Sequence, residues 1–140
     1  MASKVTPRGV RNNNPLNIKK GSKWNGLSET QTDPVFCQFK TMQYGVRAAF
    51  YLLRKYISGY YGLTQKFNTI ELIIRRWAPE KENDVQAYIN AVCKSSGIPR
   101  GQKLAFGQKK LIVAIVDGMI RVECGQPIDL KIIESAYDML

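Results

Sequence analysis

The chain of 140 residues contains no histidine. That absence takes the base out of Ser-His-Asp and Cys-His mechanisms, and the common nitrogen ligand out of zinc sites. Cysteine is scarce and odd in number: Cys37, Cys93 and Cys124 stand far apart, with no Cys-x-x-Cys. Three unpaired thiols suit a reducing cytosol at synthesis and read as small buried hydrophobes. Neither Gly-x-x-x-x-Gly-Lys-Ser/Thr nor Gly-x-Gly-x-x-Gly occurs, which disfavours nucleotide chemistry. No metal and no cofactor is therefore expected. No apolar run approaches about 18 residues, so no membrane span is expected. Met1–Asn14 lacks the apolar stretch of a secretory signal, so synthesis in a bacterial cytoplasm is expected. Acidic residues are few at first: residues 1–60 carry only Glu29 and Asp33 against ten Lys/Arg, whereas residues 61–140 carry nine against eleven. A net charge of +10, concentrated in the first half, favours an anionic partner such as nucleic acid, anionic lipid or an acidic wall polymer, unless it serves solubility alone. What is left for catalysis is the carboxylate. Glycoside cleavage is the common reaction that carboxylates run without metal or histidine.

With 44% hydrophobic residues, residues 1–140 are expected to form one domain with a substantial core, preceded by a flexible stretch at 1–7. Residues 16–40 read as short extended pieces, Leu16–Lys19 and Val35–Phe39, broken by Gly21-Ser22, Asn25-Gly26 and Asp33-Pro34. They predict a small β-hairpin or meander. From Thr41 the apolar spacing becomes helical, with Met42, Val46, Ala49, Leu53, Tyr56 and Ile57 on one stripe, predicting a helix over 41–58. Asn68-Thr69-Ile70-Glu71 and Asn83-Asp84-Val85-Gln86 have the form of capping boxes, opening helices over 69–77 and about 84–95. Two more are predicted at 108–122 and 129–139, giving five helices and a mainly α (α+β) fold.

Two segments could carry chemistry. Asn12-Asn13-Asn14-Pro15-Leu16-Asn17 is too polar for a core; it is either an elaborate turn, since asparagine tolerates left-handed backbone, or a functional loop. Trp77-Ala78-Pro79-Glu80-Lys81-Glu82-Asn83-Asp84, followed by Tyr88, sets an indole beside three carboxylates. A sugar-binding cleft would use such a set, but Glu82 and Asp84 equally suit the positive end of a helix dipole.

Arg8-Gly9-Val10-Arg11-Asn12-Asn13-Asn14-Pro15-Leu16-Asn17-Ile18, Trp24-x-Gly26, Asp33-x-x-Phe36-x-x-Phe39, Gly45-Val46-Arg47-Ala48 and the segment 77–89 occur in that order. Together, over residues 8–105, they resemble a family of small phage and prophage proteins described as virion structural proteins with a lysozyme-like domain. More distantly, Asn13-Asn14-Pro15-Leu16-Asn17-Ile18-Lys19 is similar to the Asn-Asn-x-Phe-Gly-Ile-Lys strand of bacterial cell-wall glucosaminidases. Trp77-Ala78, Asp84 and Tyr88 are similar to their Tyr-Ala-Thr-Asp-x-x-Tyr segment, with an insertion. In those enzymes a catalytic glutamate lies on a helix before the Asn-Asn strand, yet Met1–Asn14 contains no acid at all.

The resemblance implies a lysozyme-like fold whose partner is bacterial peptidoglycan or another anionic wall polymer, in a virion or released at lysis. If active, the protein would be a glycoside hydrolase or lytic transglycosylase. Glu29, or else Asp33, is the candidate general acid. Asn13, Asn14, Asn17, Trp24, Trp77, Glu80, Glu82, Asn83, Asp84 and Tyr88 are the candidate substrate contacts. The alternatives are a virion component that binds wall or other virion proteins without cutting, and a nucleic-acid binder using Tyr44, Tyr51, Tyr60 and Tyr61 for stacking.

Overall fold

The computed structural model describes residues 6–59, 65–79 and 84–140. Among these the protein is mainly helical: α1 Arg8–Arg11, α2 Met42–Ser58, α3 Ile70–Trp77, α4 Val85–Ser96, α5 Lys109–Cys124 and α6 Leu130–Asp138. The five helices read from the sequence are present, within one or two residues at each end. α1 was not foreseen, because four residues carry no period. It turns on Pro7, whose carbonyl accepts from Arg11 N, so the tail expected to be flexible is engaged at its last residue. Residues 1–5 of that tail lie outside the described residues.

The start signals need correction by one residue. Thr69, not Asn68, caps α3: its backbone is extended and its Oγ1 accepts from Leu72 N at 3.2 Å. Glu71 pairs with Arg75 and Arg100 instead of turning back to the cap. At α4 the N-cap position is Asp84, which makes no side-chain capping bond, and Gln86 accepts from Arg100 Nη2. Asn83 lies outside the described residues.

The core is one cluster of buried side chains running from Leu16 to Ala136. α5 is its axis, with Ile112, Ile115, Val116, Met119 and Ile120 wholly buried. α4 lies close against α5 because Gly118 has no side chain: a methyl there would stand 2.7 Å from Ser95 Oγ. α6 is held by Tyr137, which stacks on Phe106 at 5.2 Å and meets Phe50 of α2 edge-on at 5.4 Å. No helix among the described residues is long and apolar enough to cross a membrane.

The expected hairpin is not formed. Between residues 16 and 40 there are only two isolated antiparallel bridges, Lys19 with Phe36 and Leu27 with Phe39. Segment 35–40 is shared between them, giving Cys37 N to Ile18 O and Lys40 N to Gly26 O. A ladder cannot lengthen here because the chain turns too often. Asn13 and Asn17 both sit in left-handed backbone, at φ 53° and 54°. Side chains then take over the pairing that a ladder would have supplied. Asn14 Nδ2 donates to Ile18 O and Cys37 O while its Oδ1 accepts from Ile18 N; Asn13 Nδ2 donates to Phe39 O.

The helical body meets this polar segment at Gly45. Its α-carbon lies under the Asn13–Asn14 backbone, so that a β-carbon would fall 1.8 Å from Asn13 O. That contact, with the Cys124 thiol donating to Pro15 O at 3.2 Å, clamps the asparagine loop between α2 and the end of α5.

Candidate functional site

A groove of about 510 Å³ opens where the asparagine loop, α2, α3 and the end of α5 meet. One wall is the backbone of residues 16–22 with Trp24, and the base includes Leu52 and Tyr56 of α2. The opposite wall is Arg76 and Trp77 of α3 followed by Ala78 and Pro79, and Glu123 of α5 stands among them. The local sequence explains the shape. Left-handed Asn17 turns the chain along one side, and on the other Pro79, two residues beyond the last turn of α3, cannot continue that helix.

Three expected contacts are brought together in this groove: Asn17, Trp24 and Trp77. Trp77 is half-buried and meets Tyr56 edge-on at 6.1 Å, which fixes the indole as part of the wall. Trp24 meets Tyr51 edge-on at 5.5 Å. Asn17 Oδ1 and Trp24 Nε1 are buried without a hydrogen-bond partner, an acceptor and a donor on residues of the same groove. Tyr88 lies behind the wall, 4% exposed, and its hydroxyl donates to Glu123 Oε2 at 3.0 Å. Burial first, and the neighbouring Glu123 carboxylate second, raise the Tyr88 phenol well above its ordinary range. Burial likewise raises Tyr56, against the opposing pull of Arg76.

The other described candidates, Asn13, Asn14 and Asp84, are not among the residues lining the groove. Asn14 is wholly buried with its amide committed to backbone, and Asn13 spends its donor on Phe39 O. Asn14 therefore has no side-chain atom left for a ligand, whereas Asn13 is half-buried and holds the loop through one amide hydrogen. Asp84 is exposed at the start of α4. Glu80, Glu82 and Asn83 lie outside the described residues, as do Tyr60 and Tyr61. Tyr44 packs over Gly26, and Tyr51 is covered by Trp24 and the side chains of Arg54 and Lys55.

Neither acid proposed from the sequence has the setting of a proton donor. Glu29 is exposed and away from the groove, whereas a general acid in a lysozyme-like cleft needs burial to keep its proton. Asp33 is 8% exposed and bound on every side. Arg8 Nε and Nη2 reach its two oxygens at 2.6 Å, Asn12 Nδ2 donates at 2.9 Å, and the Val35 and Phe36 amides donate at 2.9 Å. The Arg8 guanidinium, followed by the Phe36 amide, holds Asp33 far below the usual carboxylate range. An acid so placed gives up no proton; it ties α1 to the bridge segment.

Among the described residues the carboxylate that lines the groove is Glu123, which no sequence motif marked. One signal was there. Glu123 ends the apolar run of α5 in its last turn, where the helix dipole disfavours negative charge, and such a conflict with a local rule points to use.

Over 122 residues the chain is 48% identical to Protein P5 of Pseudoalteromonas phage PM2, an alignment spanning 84% of this chain and 71% of that protein. The chain belongs to this phage family. No family model matches it. Membership agrees with the phage and prophage resemblance of residues 8–105. It also extends the similarity, since the aligned length exceeds that segment.

Proposed function

We propose that this phage protein is a lysozyme-like domain that acts on the glycan strand of bacterial peptidoglycan, with the groove between the asparagine loop and α3 as its cleft. One observation carries this. The two segments similar to cell-wall glucosaminidases, 13–19 and 77–88, lie some sixty residues apart in sequence, yet Asn17–Lys19 and Trp77–Ala78 line one groove. The lining suits the substrate. Indole and phenol rings offer apolar faces to pyranose rings, and Lys20 and Arg76 offer positive charge to an anionic wall. Phage kinship supports a virion location or release at lysis, with other virion proteins as partners.

A second interpretation is a wall-binding virion component that does not cut. It draws on the placement of Glu29 outside the groove and the locking of Asp33. Purified sacculi separate the two. Sedimentation with sacculi together with release of soluble muropeptides supports cleavage. Sedimentation without release supports the binding component. Absence of both overturns the cleft assignment. Trp77→Ala, checked for folding by circular dichroism, should lower sedimentation at least tenfold.

A further inference from the structure

Resting on that cleft assignment, we propose that Glu123 is the proton donor of glycan cleavage and that buried Tyr88 is its positioning residue. Among the described residues Glu123 is the one carboxylate lining the groove. It is half-buried at the C-terminal turn of α5, a position the helix dipole opposes. The Tyr88 hydroxyl from α4 donates to Oε2 at 3.0 Å, and the adjacent Cys124 thiol donates to Pro15 O, pinning this turn against the asparagine loop. The other charged or titratable groups lining the groove with it are Tyr56 from α2, Arg76 from α3, and Lys19 and Lys20 from the bridge segment.

The chemistry follows from one acid and water. A glycan seated in the groove displaces solvent, which favours the neutral form of a carboxyl held there. The Glu123 proton passes to the bridging oxygen as the bond from that oxygen to the anomeric carbon breaks, both electrons leaving with the oxygen. Water then adds to the anomeric carbon, and its proton returns to the Glu123 carboxylate. Tyr88 moves no proton in this scheme. Burial keeps its phenol protonated, and the bond it donates holds the carboxyl in one orientation.

The test is muropeptide release from purified sacculi by wild type, Glu123→Gln and Tyr88→Phe, with sedimentation and thermal melting of each. Glu123→Gln should lower release by about 10²–10⁴-fold while still sedimenting with sacculi. Tyr88→Phe should keep part of the activity and change the pH profile of release, because the carboxyl loses the hydroxyl that holds its Oε2. Release by Glu123→Gln at the wild-type rate overturns the acid assignment and leaves the cleft standing, and an unmoved Tyr88→Phe profile overturns the positioning role. If Glu123→Gln melts far below wild type, the Tyr88→Phe profile decides. Wild type that sediments without releasing muropeptides overturns this proposal together with the cleavage reading and leaves the groove as a wall-binding cleft; wild type that does neither overturns the cleft assignment as well.

Discussion

Asn14 is the residue whose loss the structure prices most clearly. Its side chain is 0% exposed and makes three hydrogen bonds to backbone: to Ile18 O, to Cys37 O, and from Ile18 N, each at 2.9 Å. Asn14→Ala removes all three. Ile18 O keeps its bond from Cys37 N, but Ile18 N and Cys37 O lose the partner seen here. Each buried group left without a partner costs about 1–3 kcal/mol, so the substitution should destabilise by roughly 2–6 kcal/mol. That is a large share of the about 5–15 kcal/mol that holds an ordinary domain. Urea unfolding followed by circular dichroism should show a lower midpoint with an unchanged slope. Asn14→Asp sharpens the test. It keeps the size but sets an acceptor where the amide donated to two carbonyls, so at neutral pH it should be at least as damaging as alanine. The carbonyls raise the folded-state pKa of that new carboxyl. The variant should therefore regain stability as pH falls through that value, and lose it again as pH rises. A loss under about 0.5 kcal/mol for Asn14→Ala, within the range of an ordinary surface change, would refute the view that side-chain bonds replace the missing ladder.

Asp33 should govern acid stability: its folded-state pKa lies below its ordinary value of 3.8, so its contribution is complete above that value and is lost as pH falls through the folded one. Unfolding midpoints followed from pH 6 to 2 should lose the Asp33 contribution only below its ordinary value of 3.8, and Asp33→Asn should start lower and flatten that limb. Gly45→Ala gains about 1 kcal/mol of helix propensity, yet should still lower the melting temperature, since its methyl meets Asn13 O and overpacking against backbone costs roughly 1–3 kcal/mol or more. Binding to sacculi should weaken only modestly with salt, because Lys19, Lys20 and Arg76 are the cations lining the groove. The loss between 50 and 200 mM salt should therefore stay far below the about 10³–10⁵-fold that a nucleic-acid binder using the whole basic half would show. Anisotropy on duplex DNA beside sedimentation on sacculi, at both salts, would expose the second outcome.

The helices were legible because each is long enough to show its period and is bounded by residues with a physical reason to stop it. Val46, Ala49, Leu53 and Ile57 lie buried as the spacing of α2 required, and α2, α4 and α5 end on left-handed Gly59, Gly97 and Gly125. The bridge segment was misread because alternating apolar residues at 35–39 look like a strand, whereas pairing there depends on amide side chains from Asn13 and Asn14. Of the site, Trp24, Trp77 and Asn17 were legible as polar or aromatic interruptions. The roles of Asn14 and Asp33 were not, since a buried asparagine and an exposed one have the same letter, and only the position of Arg8 shows that Asp33 is bound.

Glu123 was hidden for a further reason: chain order. The resemblance to glucosaminidases leads the eye to an acid before the asparagine strand, and none stands there. Catalysis requires proximity in space, not sequence. The end of α5 reaches the asparagine loop through Cys124 and Pro15, and α4 supplies Tyr88 from the other side. The same argument gives the C-terminal third, in which no motif stood out, a role beyond packing. α5 would carry the reacting group, and α6 would hold α5 in register against α2 through Tyr137. A truncation before α6 should then abolish cleavage by displacing Glu123, even though α6 contributes no residue to the groove.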